Sequence, residues 1–136
     1  MKLIVGIGVA LLAALGAGWL WGASGTADLH RSLEIVELRS RLLEGRVAVL
    51  DARLAIYNVN FGEASRHFEA ARSALRDADA RLNALGRHED AGQLETALTK
   101  IDEAQRKAGE LNQDANALAA DAAKTIEDVI GRATTR

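Results

Sequence analysis

Apolar residues recur along most of the chain at alternating spacings of four and three, the period of helices packed side by side. Residues 27–59 carry the longest series, Leu29, Leu33, Val36, Ser40, Leu43, Val47, Leu50, Leu54 and Tyr57, interrupted only by the polar Ser40. A second stripe runs beside it through Ile35, Leu38, Leu42, Gly45, Val49, Ala52, Ile56 and Val59. A helix with two adjacent apolar seams asks for more than one neighbour, so this segment predicts a bundle rather than a two-stranded coil. The first seam, with Leu29, Leu33, Val36, Leu43, Val47, Leu50, Leu54 and Tyr57, is expected to supply its core.

Residues 58–62, NVNFG, read as a turn in which Asn and Gly supply permissive backbone angles. The next helix is expected from about Glu63 to Leu85, with Ala64, Phe68, Ala71, Leu75, Ala78, Leu82 and Leu85 on one face and Gly86 as its C-terminal cap. A further periodic stretch starts near Glu89 or Asp90 and carries Leu94, Leu98, Ile101, Ala104, Ala108, Leu111, Ala115, Leu118, Ala122, Ile126 and Val129. It is longer than an ordinary globular helix. Gly109 with Asn112, Gln113 and Asp114 is the place where it can break, giving an antiparallel bundle of four helices if it does and three if it does not. Phe68, Leu75, Leu82, Leu94, Leu98 and Ile101 complete the expected core.

Upstream of the bundle, residues 3–21 are a run of 19 uncharged, mostly apolar residues. A helix needs about 20 such residues to cross the hydrocarbon core of a bilayer. Trp19 and Trp21 stand at its downstream end, where indoles favour the headgroup level, and Lys2 lies at the other end. The segment predicts a single transmembrane anchor over residues 1–22. A short hinge follows at 23–28, then the extramembrane bundle at 29–131 and a tail at 132–136. A cleaved secretory leader is the rival reading, with small residues at Ala23-Ser24-Gly25 or Gly25-Thr26-Ala27 as processing sites. Within the anchor, Gly6, Ala10, Ala14, Gly18 and Gly22 recur every fourth position, a smooth stripe where another transmembrane helix can approach closely. The distribution of Lys and Arg around the span favours a cytoplasmic N-terminus and, in a bacterial inner membrane, a periplasmic helical domain.

Composition narrows the chemistry. The 136 residues include no proline and no cysteine, which excludes a disulfide framework, a cysteine-ligated zinc site and a thiol nucleophile. Alanine, the best helix former, occupies 27 positions. A formal net charge of -2 removes the usual electrostatic case for nucleic-acid binding. The histidines are His30, His67 and His88, none with a second histidine at helical ligand spacing; His88-Glu89-Asp90-Ala91 opens like a zinc-protease helix but has Gly92 where the second ligand belongs. Charged residues are interspersed along helix faces, for example Glu37 with Arg41 and Asp77 with Arg81 at a spacing of four. No catalytic, cofactor-binding or metal-binding residue is expected.

Ala64, Phe68 and Ala71, with Ala52 upstream, resemble the second helix of a tetratricopeptide repeat over about 20 residues. The resemblance lapses at Arg76, where that family has proline, and in the length of the preceding helix. It therefore implies no more than a helical hairpin with small residues in its seam, and no peptide-binding residue carries over.

These features lead to the expectation of a non-enzymatic, single-span accessory subunit. It would pack against other integral membrane subunits in the lipid bilayer and stabilise a larger complex, with respiratory or photosynthetic assemblies one such class. A self-associating envelope tether, homo-oligomeric through its heptads, and a secreted helical binding module are the alternatives.

Overall fold

A computed structural model describes the backbone of residues 2–135 and the side chains of residues 29–133. Four helices follow in order: α1 (Lys2–Tyr57), α2 (Phe61–Ala84), α3 (His88–Gly109) and α4 (Ala115–Thr135). The chain divides into two compact units, Met1–Ile35 and Val36–Arg136. The first belongs to α1; the anchor expected over residues 1–22, with its stripe of Gly6, Ala10, Ala14, Gly18 and Gly22 and its Trp19 and Trp21, lies outside the described side chains. Among the described residues no helix is long and apolar enough to cross a membrane.

The second unit is an all-α four-helix bundle without strands among the described residues. Cross-helix pairs fix its topology. Glu37 and Arg41 on α1 meet Arg81 and Asp77 on α2. Arg72 on α2 meets Asp102 on α3, Lys100 on α3 meets Asp121 on α4, and Arg46 on α1 meets Glu127 on α4. A second contact in each remaining pair, Ser65 with Gln105, Asp90 with Arg132 and Arg53 with Asn116, shows the numbering rising on one side as it falls on the other, so these neighbours are antiparallel and α1 lies between α2 and α4.

Local sequence explains where each helix stops. Asn60 caps α2: its Oδ1 accepts the Glu63 backbone N–H at 3.2 Å while its Nδ2 donates to Glu63 Oε2 at 2.7 Å, a reciprocal capping pair. Helix α2 ends where Gly86, at a φ of +72°, lets the Arg87 N–H turn back to Leu82 O at 2.8 Å. The same closure ends α1, through Asn60 N–H to Ala55 O, and α3, through Asn112 N–H to Lys107 O. There the left-handed residue is Val59 or Leu111 instead of glycine. The break between Gly109 and Ala115 resolves the long C-terminal stretch into two helices. Residues 23–28, expected as a hinge, are helical within α1, and 132–135, expected in a tail, belong to α4; without proline, Gly and Ser weaken a helix without ending it.

The core is rich in alanine. Leu38, Leu42, Val49, Ala52 and Ile56 of α1 are fully buried against Phe68, Leu75 and Leu82 of α2, Leu94 and Ile101 of α3, and Ala115, Ala119, Ala122, Ile126 and Val129 of α4. Leu98 is half-buried at its margin. The seam expected to line the core does not. Leu29, Leu33, Val36, Leu43, Val47, Leu50, Leu54 and Tyr57 are all exposed, from 36% at Leu50 to 75% at Tyr57. The reason is steric. The stripe containing Gly45, Ala48, Ala52 and Ala55 is small, and at Gly45 it admits the Leu75 side chain of α2 into the space a Cβ would take, room that the bulkier seam does not leave.

Among the described residues one charged side chain is buried. Asp90, 5% exposed in the first turn of α3, accepts from Arg87 Nη2 at 2.6 Å and from Arg132 Nε of α4 at 2.7 Å. Arg132 also donates to Gln93. Burial pushes the Asp90 carboxyl up, but hydrogen bonds from Arg132 and Arg87 outweigh it and hold the group below its ordinary value.

Candidate protein-docking surface

A helix repeats nearly every 3.6 residues, so residues seven apart share a face. In heptad letters, Ser40, Val47 and Leu54 take position a, and Val36, Leu43, Leu50 and Tyr57 take position d. The buried Leu38, Leu42, Gly45, Val49, Ala52 and Ile56 then fall at positions c and f, on the opposite side of α1. The bundle thus consumes one apolar seam and leaves the other facing outward over residues 36–57. Scattered exposed apolar side chains are ordinary on a soluble protein, whereas a contiguous strip of them marks an interaction surface.

Charge borders the strip on both sides. On the edge toward α4, at position g, stand Arg39, Arg46 and Arg53. Arg46 Nη2 donates to Glu127 at 3.0 Å, and Arg53 Nε donates to Asn116 Oδ1 at 2.9 Å. On the edge toward α2, at position e, stand Glu37, Glu44 and Asp51. Glu37 accepts from Arg81 Nη1 at 2.6 Å, and Glu44 accepts from Arg41 at 2.9 Å. The Glu37 hydrogen bond, with that of Asp77, holds the Arg81 guanidinium above its usual value despite partial desolvation. Glu37 therefore crosses to α2 instead of pairing with Arg41 at a spacing of four, and Arg41 crosses to Asp77 at 2.9 Å. Arg39 and Asp51 form no ion pair among the described residues. The two charged borders escaped the sequence reading, although the positions just before and just after each seam residue carried the signal.

Among the described residues no group of three His, Asp or Glu side chains could hold a metal ion. His30 is exposed, His67 Nε2 lies 3.8 Å from Glu63, and His88 Nδ1 lies 3.1 Å from Asn83 Oδ1. Two open depressions flank α1. One, of about 290 Å³, is lined by Asp51, Leu54, Ala55, Asn58, Glu63 and His67. The other, of about 490 Å³, is floored by the Arg41, Asp77 and Arg81 ion pairs. Neither aims a nucleophile and a base at a common point, which an acyl- or phosphoryl-transfer site would need. No family model, no curated protein and no solved structure matches the chain.

Proposed function

We propose that this protein is a non-enzymatic, single-span accessory subunit that works by contact with other proteins. Residues 3–21 anchor it in a bacterial inner membrane, and the helical bundle stands on the periplasmic side. The stripe of Gly6, Ala10, Ala14, Gly18 and Gly22 packs against a transmembrane helix of a larger complex, and the bundle braces that complex outside the bilayer. The observation that carries this reading is the uncovered apolar strip on α1. A helix that spends a whole seam on solvent loses burial unless another protein covers it.

In lipid, helix association depends on close backbone approach, because the surrounding tails are as apolar as leucine. Replacing Ala14 or Gly18 with Leu therefore depletes the protein from its complex while membrane insertion continues, and Leu at Ala13 or Ala17, on a neighbouring face, does less. The test is a mild-detergent pull-down from native membranes with identification of what co-purifies. Recovery of other integral membrane subunits with the wild type, lost in the stripe variants, supports the proposal; equal recovery of all variants, or none with the wild type, refutes it.

A further inference from the structure

We propose that the outward strip of α1, residues 36–57, is the interface of a parallel homodimer, two copies winding their α1 helices together in register. The inference goes beyond the accessory-subunit reading and does not need its complex; it shares only the premise that the strip meets protein.

The strip has the make-up of a coiled-coil seam. It runs about 30 Å at 1.5 Å per residue, and its apolar residues hold the strict alternation of a and d positions for three heptads. Leu43 and Leu50 at d with Val47 at a is the combination that favours two strands, and Ser40 at a is a polar break that penalises other registers. The a and d side chains are bulky and exposed, Val36 at 65%, Val47 at 54% and Leu54 at 60%, so knobs and holes are both available.

Charge identifies the occupant as a second copy and sets its direction. In a parallel pair, position g of one helix faces position e of the next heptad on the other. Arg39 then meets Glu44 of the second copy, and Arg46 meets Asp51 of the second copy; by symmetry each bridge occurs twice. Arg39 and Asp51, which have no ion pair among the described residues, acquire one. An antiparallel pair would set g against g and e against e, placing arginines on arginines and carboxylates on carboxylates. A single surface that carries both halves of its own complement, offset by the five residues a parallel pair requires, is matched by itself.

The native chain has no cysteine, so single cysteines report proximity without background. In full-length protein reconstituted in mild detergent, Val36→Cys and Tyr57→Cys, one at each end of the strip, are each expected to give a disulfide-linked dimer with themselves. When the two variants are mixed, no disulfide joining one variant to the other is expected, only the two self-linked species. Self-linking at neither site, with linking in the mixture, means an antiparallel pair and overturns the proposal. No linking in any combination means the strip receives a different protein and overturns it as well. A second experiment reads the charges. R39E/R46E and E44R/D51R each place like charges across the parallel interface, so each variant alone is expected to lose at least tenfold in dimer affinity. Their mixture is expected to restore a one-to-one heterodimer, which also shows that both chains remain folded. Equal dimerisation of each variant alone overturns the assignment. A wild type that forms no dimer yet still recovers membrane subunits would reject this inference and leave the accessory-subunit reading intact.

Discussion

The side chain of Leu75 occupies the space that a Cβ on Gly45 would take: its Cδ2 and Cγ lie 2.5 and 2.6 Å from that position. Helices α1 and α2 are seated against each other at this point, and the contact is with a branch carbon near the backbone, which cannot swing aside. Gly45→Ala gains about 1 kcal/mol of helix propensity, yet overpacking costs about 1–3 kcal/mol. A net destabilisation of about 1 kcal/mol is expected in urea unfolding, and Gly45→Leu should be worse. Leu75→Ala alone should cost about 2–5 kcal/mol by leaving a cavity. In the double variant Gly45→Ala/Leu75→Ala, the new methyl enters that cavity, so the two effects should fall short of additive. Strict additivity would show that the two residues do not touch.

Asp90 gives the bundle an acid-sensitive joint. Its carboxylate is held below its ordinary value by Arg132 and Arg87 against the cost of burial. The folded state therefore holds the proton less tightly than the unfolded chain, whose carboxyl titrates near pH 4. The stabilisation is present above that pH and lost as pH falls through the folded value. Asp90→Asn should cost about 2–3 kcal/mol at pH 7, less than a fully buried pair because Arg132 keeps contact with water. It should also flatten the loss of stability below about pH 4. A variant whose thermal midpoint falls as steeply in acid as the wild type would assign that loss to other carboxylates.

Val59 and Leu111 close α1 and α3 in the left-handed conformation, at φ of 59° and 57°, where Gly86 closes α2. A side chain there costs roughly 1–2 kcal/mol, partly offset by the freedom glycine gives the unfolded chain. Val59→Gly and Leu111→Gly should each stabilise by about 0.5–1 kcal/mol, and Gly86→Ala should destabilise by about 1 kcal/mol. Thermal unfolding followed by circular dichroism would check all three.

Much of the bundle was legible because its punctuation is chemical. Asn60 and Glu63 announce the start of α2, Gly86 its end, and the run from Gly109 to Asp114 the break before α4. Phe68, Leu75, Leu82, Leu94 and Ile101 lie inside because α2 and α3 each carry a single apolar face. The choice between the two seams of α1 was not legible from α1 alone. Ranked by hydrophobicity, the Leu-rich seam goes inward, but Leu75 of α2 fills the space beside Gly45, and only the stripe with Gly45 leaves room for it. The Asp90 node was hidden for a related reason. An acidic residue in a first helical turn reads as a dipole partner until Arg132, 42 residues later, is brought to it.

Leu42 and Leu43 are chain neighbours about 100° apart around α1, the first fully buried and the second 40% exposed. Their alanine variants separate the inner seam from the outer one. Leu42→Ala removes buried methyl groups from a core that close alanine packing prevents from collapsing, so about 2–5 kcal/mol should be lost at every protein concentration. Leu43→Ala trims a side chain that lies outside the buried cluster. In dilute protein, where chains are separate, it should shift stability by no more than about 0.5 kcal/mol. As concentration rises, the wild type should gain stability by association while Leu43→Ala gains less, because binding to the folded state stabilises by mass action. Urea titrations of the three proteins across a wide concentration range would make the comparison. Equal losses for the two variants in dilute protein would mean that both seams are buried within one chain, contrary to the packing described.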